Sequence, residues 1–241
     1  MLQQNIIVRT GAGVAGVLSS VPLKGHYGLV ENGQNLSGQI QDALEVLQQL
    51  NPPCCDLVAK YVSSINWVDV YPGSGEQLLT SSSFPATRGE VFISKKATRH
   101  IPPDIVLDEG CSYFLAENLY HEALHQELNG LLLDRNYLAS SYNAEVAARI
   151  DVPWRGQMWQ PDRIVHALYV YRHLVPLRQA ASSSNLAPML NLAIERGNMA
   201  VQVLSNRLPK CQMVFSLAGE HLYDWLLNQD GLQTAPYRVT L

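Results

Sequence analysis

The stretch Tyr120-His121-Glu122-Ala123-Leu124-His125-Gln126 holds the pattern His-Glu-x-x-His inside a run that reads as helix, about Ser112 to Asp134. Two side chains four residues apart on a helix differ by only ~40° around the axis and lie ~6 Å apart along it. Both imidazoles therefore leave one face and can share one metal ion. Glu122, one step round the axis, can reach a metal-bound water or a supporting partner; in a zinc peptidase such a Glu is the general base. The helix also carries Phe114, Leu115, Leu119, Leu124, Leu128, Leu131 and Leu132. Two histidines within so apolar a helix predict a buried site and not a solvent face.

Working outward, Asn5 to Arg9 reads as a short strand. Ser37 can cap a helix to about Leu50, with Ile40, Ala43, Leu44, Leu47 and Leu50 on one face. Asn51-Pro52-Pro53 stops it and starts another, about Cys54 to Ser64. Ile65 to Tyr71 alternates as a strand, Pro72 to Gly75 is a turn, and Gln77 to Ser81 and Glu90 to Ser94 complete a small antiparallel sheet. Ser81 to Gly89 reads as a connection. Beyond the central helix, Arg135 to Gln160 reads as loop. Pro161-Asp162-Arg163 opens a helix to about Ala181, with a kink or break at Pro176. Further helices are predicted from Ser184-Asn185 to about Asn206, weakened at Gly197, and from Phe215 to Asn228. The expectation is an α+β fold, predominantly α-helical. It is a single domain over residues 1–241, with the small antiparallel sheet packed against the His-Glu-x-x-His helix and the helices that follow.

The 47% apolar content of these 241 residues is enough for a sizeable core. With a net charge of −4 and no basic block, nucleic acid and anionic membrane surfaces are not expected partners. No apolar run reaches the length of a membrane span. Met1-Leu2-Gln3-Gln4-Asn5 lacks the basic start of a secretory signal. Cys54, Cys55, Cys111 and Cys211 have poor disulfide spacing, so reduced, mostly buried thiols in a cytoplasm are expected. Gly11-Ala12-Gly13-Val14-Ala15-Gly16 matches the dinucleotide fingerprint, with Glu31 twenty residues beyond Gly11. Pro22 cuts short the helix that should follow, however, and no train of βαβ units succeeds it, so a glycine-rich loop or hairpin is the reading.

Two histidines leave a catalytic metal short of a third protein ligand. Glu145, twenty residues after His125 in Asn143-Ala144-Glu145, stands at the distance used by thermolysin-like zinc peptidases, although Arg149 occupies the position where those enzymes carry an acid. His166 is the second candidate. Arg163 lies one turn before it and Tyr169 and Val170 one turn after, so an imidazole and a guanidinium share one helical face. That pairing suits a dicarboxylate that chelates a metal at one end and needs an Arg fork at the other. Asp162 can orient His166 or serve as an N-terminal helix charge. His173, His26, His100 and His221 read as structural, and Trp67, Trp154, Trp159 and Trp225 as core or cleft wall.

The segment His121 to Asp134, with His-Glu-Ala-Leu-His-Gln-Glu-Leu-Asn and the leucines after it, resembles the signature of the HExxH motif domain found near peptide-modification systems. The later block Pro153-Trp154-Arg155, Arg163 and His166-Ala167-Leu168-Tyr169 resembles that family's second motif. Gly89-Glu90-Val91-Phe92-Ile93-Ser94 is similar to the strand before its helix. The resemblance covers about residues 81–174. It implies an iron(II)- and 2-oxoglutarate-dependent dioxygenase that hydroxylates the β carbon of a residue in a peptide, a ribosomal precursor of a peptide natural product. By resemblance, His121, His125 and His166 hold the iron and Arg163 or Arg155 takes the far carboxylate of 2-oxoglutarate. Glu122 then supports the site instead of acting as base. The alternative is a zinc metallopeptidase with Glu122 as general base and Glu145 as third ligand.

Overall fold

The computed structural model describes residues 6–10, 14, 17–18, 21, 27–29, 36–70, 79–153, 156–182 and 186–228. The Gly11–Gly16 stretch (apart from Val14), His26, the Pro72–Gly75 turn, Trp154, Arg155 and the tail beyond residue 228 lie outside the described residues. The chain gathers into two compact units, Met1–Gln126 and Glu127–Leu241. The boundary falls inside a helix. Among the described residues, no helix is long and apolar enough to cross a membrane. The predominantly helical α+β class read from the sequence is the class observed.

In the first unit, strands β1 (Ile7–Arg9), β2 (Tyr27–Leu29), β3 (Ser64–Val70), β4 (Ser81–Ser83) and β5 (Glu90–Ile93) form one sheet. β3 is central: Ile65, Asn66, Trp67 and Val68 are all buried, as expected of a strand covered on both faces. The sheet is mixed, which corrects the antiparallel expectation. β1 and β5 pair with β3 in parallel, while β2 with β3 and β4 with β5 are antiparallel. Hydrophobic alternation reports which residues face the core but not strand direction. Between β1 and β3 the chain runs through helices α1 (Leu36–Leu50) and α2 (Pro52–Tyr61), which supply the long crossover that a parallel pair needs. Leu36, Ile40, Ala43 and Leu47 line the buried face of α1, and Pro52 opens α2 at its first turn. Cys54 and Cys55 are buried there, and none of the four cysteines is in a disulfide.

A 3₁₀ turn (Lys95–Thr98) and a two-stranded hairpin, β6 (His100–Ile101) with β7 (Ile105–Val106), lead into α3 (Ser112–Asp134), the His-Glu-x-x-His helix with the predicted bounds.

In the second unit, β8 (Ile150–Val152) and β9 (Gln157–Trp159) make an antiparallel hairpin within the stretch read as loop. α4 (Pro161–Ala181) continues through Pro176, and α5 (Ala187–Ser205) follows. Ala193, Gly197 and Ala200 form a small-residue stripe on α5, and Gly197 lies against Val175 and Arg178 of α4. The predicted last helix is shorter than expected. Phe215 bridges Leu138 and the Ser216 N–H donates to the Tyr137 carbonyl, so this backbone is committed to pairing. Only after the 3₁₀ turn Leu217–Gly219 does α6 (Glu220–Leu227) begin.

Candidate metal centre

On α3 the i, i+4 spacing brings His121 and His125 together as the pattern requires. Their Nε2 atoms are 3.1 Å apart and their ring centroids 4.8 Å apart. Both rings are half-buried. Two nitrogens each about 2.1 Å from a shared ion lie about 3.0 Å apart at a right angle and about 3.4 Å apart at a tetrahedral angle. The observed separation, 3.1 Å, falls between the two.

Glu122 points elsewhere. Its side chain is 3% exposed, Ser81 Oγ donates to Oε1 at 2.6 Å and Ser83 Oγ to Oε2 at 2.7 Å. The two serines share a face of β4 because alternate residues of a strand do. Burial pushes the Glu122 carboxyl up to about 7, with the serine hydroxyls pulling the other way. This carboxyl is locked between a helix and a strand, and both of its oxygens are engaged.

Glu122 is the middle of three polar residues spaced four apart. Asn118 donates through Nδ2 to the carbonyls of Ala97 at 3.0 Å and His100 at 2.8 Å, as well as to Phe114 within its own helix. Gln126 accepts from the Gly89 N–H at 3.4 Å and donates to the Glu90 carbonyl at 3.5 Å. Asn118, Glu122 and Gln126 thus face the β4–β5 edge and the turn beyond it as one stripe, one step round the helix from the histidines.

Glu127, the residue after Gln126, is buried and accepts from the Tyr169 hydroxyl at 2.6 Å. In α4, His166 is partly buried, and desolvation pushes its imidazole down to about 4. Arg163 is exposed, with its guanidinium 4.4 Å from the centroid of the Trp159 ring. Asp162 does not orient His166: it accepts from Tyr142 Oη at 2.6 Å. His173 is a packed residue, with Nδ1 donating to the Tyr169 carbonyl at 2.8 Å and the ring between Tyr169 and Trp225. His100 bonds Thr80 and His221 bonds Tyr137, as structural histidines do. Glu145 is exposed, in a turn where its N–H donates to Asn143 Oδ1.

The arrangement therefore joins His121 to His125. Among the described residues, no group of three or more His, Cys, Asp or Glu side chains that could hold a metal ion is assembled. Arg155 lies outside the described residues. The sequence does not announce Ser81 and Ser83 as site residues: Ser81 ends the predicted strand Gln77 to Ser81, and Ser82 and Ser83 read as connection, where β4 is observed. The available signal is the pair of hydroxyls at i and i+2 that follows Leu78-Leu79-Thr80. A comparison with models of known protein families finds no match for the chain, and neither does a comparison with curated proteins.

Proposed function

We propose that the chain is an iron(II)- and 2-oxoglutarate-dependent oxygenase that hydroxylates a β carbon in a peptide, a ribosomally made precursor, in the cytoplasm. His121 and His125 of α3 and His166 of α4 would hold the iron, and Arg163 or Arg155 would bind the distal carboxylate of 2-oxoglutarate. One observation carries the reading. Two imidazole nitrogens stand 3.1 Å apart on α3, while the neighbouring Glu122 has both oxygens bonded to Ser81 and Ser83. A peptidase on this helix needs that carboxylate at the metal-bound water to take its proton. A metal-bound 2-oxo acid needs no such base. The order of the two motif blocks along the chain adds support, and four cysteines outside any disulfide fit a reducing compartment.

When bound, iron with 2-oxoglutarate supplies the oxidising power for the C–H bond; the protein's share is binding, orientation and shelter. A histidine ligates only as neutral imidazole, and His166, held down to about 4, is neutral at pH 7. Three neutral nitrogens would hold the ion and leave room on it for the co-substrate and dioxygen. Arg163 presents a planar fork that matches a carboxylate, and the Trp159 ring beneath it restrains that plane.

The test is anaerobic loading with Fe(II) followed by 2-oxoglutarate. A weak visible charge-transfer band is expected, and admission of oxygen with peptide should yield succinate. Absence of both overturns the proposal. His166→Ala should lose metal affinity and Glu145→Ala should keep it; the reverse outcome identifies the zinc peptidase.

A further inference from the structure

We infer that Ser81 and Ser83 are positioning residues for the histidine pair: through Glu122 they fix the rotation of α3 about its own axis, and so the direction in which His121 and His125 point. The inference rests on the reading of those histidines as metal ligands.

α3 is apolar almost all the way round. Phe114, Leu115, Leu119, Leu124 and Leu128 are buried in different directions about the axis, so burial alone leaves the rotation poorly determined. The stripe of Asn118, Glu122 and Gln126 resolves it, because each has partners at fixed places. Asn118 meets the carbonyls of Ala97 and His100, and Gln126 meets the backbone of Gly89 and Glu90. Those outer contacts use neutral groups, and the Gln126 contacts are 3.4 and 3.5 Å long. The middle contact is different. It offers two short hydrogen bonds, 2.6 and 2.7 Å, to both oxygens of one buried carboxyl, from two residues of a single strand. Such a two-point grip opposes both rotation and sliding of the helix. A rotation of α3 by one residue position would swing the histidines about 100° away from their present direction.

The glutamate of the His-Glu-x-x-His pattern accordingly does its work one step round the helix from the histidines, on the face that meets β4. It acts as an acceptor for two hydroxyls, and not by charge at the ion. An amide can keep that grip: the Gln carbonyl accepts from one serine, and its NH₂ donates to the other, whose hydroxyl is free to turn.

The experiment compares Ser81→Ala/Ser83→Ala, Glu122→Gln and Ser82→Ala with the full-length wild type. The first readout is Co(II) affinity and the visible spectrum of the Co(II) protein. The second, on metal-free protein, is the NMR shifts of the His121 and His125 ring protons. The double serine variant should bind Co(II) about 10–100-fold more weakly, the range seen when supporting partners of metal ligands are removed. Its Co(II) spectrum and His ring shifts should both change. Glu122→Gln should keep both near the wild type, and Ser82→Ala should leave both unchanged.

Wild-type affinity, spectrum and ring shifts in the folded double variant overturn the inference. So does a loss of Co(II) binding in Glu122→Gln as large as that in His121→Ala, since charge and not position would then be what matters. Should the double variant not fold, Glu122→Gln decides alone. If wild type binds no metal, the oxygenase reading falls, and the ring shifts still judge the positioning role.

Discussion

Ser81 Oγ donates to Glu122 Oε1 at 2.6 Å across the gap between strand β4 and helix α3, and Ser83 engages the other oxygen. Burial favours this carboxyl in its protonated form, while the two serine hydroxyls pull the other way. Its folded-state value, about 7, stands above the ordinary 4.5 because burial opposes the charge. The stabilisation it contributes is full below about pH 4.5 and is lost as pH rises through about 7. The difference amounts to about 3–4 kcal/mol at most, at roughly 1.4 kcal/mol for each pH unit between the two values. Metal-free wild type should therefore lose stability between pH 5 and pH 8 by up to that amount, while Glu122→Gln loses much less. Urea unfolding midpoints at the two pH values measure this. Equal losses in both proteins would mean that some other group titrates.

His166 gives the opposite sign. Desolvation holds its folded-state value near 4, below the ordinary 6.5, so the unfolded chain takes up a proton that the folded chain refuses. Stability contributed by the neutral ring is present above pH 6.5 and is lost as pH falls toward 4. The His166 ring resonances of metal-free protein should show no titration between pH 8 and pH 5.5. His166→Gln should flatten the acid limb of the stability curve over the same window. A midpoint near 6.5 in the NMR titration would show that the ring is solvated, and would remove the reason to regard it as a ready neutral ligand.

What the sequence disclosed of this site, and what it concealed, follows from the same physics. The bounds of α3 and the His121/His125 spacing are local properties of a helix and can be read directly. The direction of Glu122 is not local. α3 has apolar residues on nearly every side, so no amphipathic stripe announces which face meets the sheet. Its partner strand is three serines, which carry no hydrophobic alternation, and the last two read as connection. Strand order failed for a related reason: β3 is buried on both faces, and neither its pattern nor that of β5 encodes parallel pairing. The hairpin β8–β9 is two three-residue strands, too short for a period to register. The division into two units left no linker composition, because the boundary falls within a continuous helix.

Arg172 of α4 closes the end of α6. It is 4% exposed, with Nη1 donating to the Asn228 carbonyl at 2.9 Å and Nη2 to the Leu226 carbonyl at 2.8 Å and to Ser205 Oγ at 3.3 Å. A cation at a helix C-terminus satisfies carbonyls that have no partner in the helix and meets the negative end of its dipole. Replacing it with Ala strands those carbonyls in a buried place, at about 3 kcal/mol, the range for hydrogen bonds to a charged donor. Arg172→Lys should recover part of this, since one ammonium cannot reproduce the fork. Hydrogen exchange should localise the damage to α6 amides, and uniform loss of protection across the second unit would argue against a capping role.

Gly197 sets how closely α5 approaches α4. A Cβ built at that position would lie 2.8 Å from Val175 Cγ2 and 3.3 Å from Arg178 Nη1. Arg178 is itself fully buried, with Nη1 donating to the Ala193 carbonyl at 2.9 Å, so it has little room to yield. On propensity alone Gly197→Ala should stabilise an exposed helix by about 1 kcal/mol. At this buried contact the clash dominates, and a net loss of about 1–3 kcal/mol is expected. Val175→Ala removes the nearer of the two atoms. The double variant should therefore be more stable than the two single losses predict by summation, with a coupling of about 1 kcal/mol or more in a double-mutant cycle. Additive losses would mean that the helices separate to accept the methyl group, and that the small-residue stripe does not set their spacing.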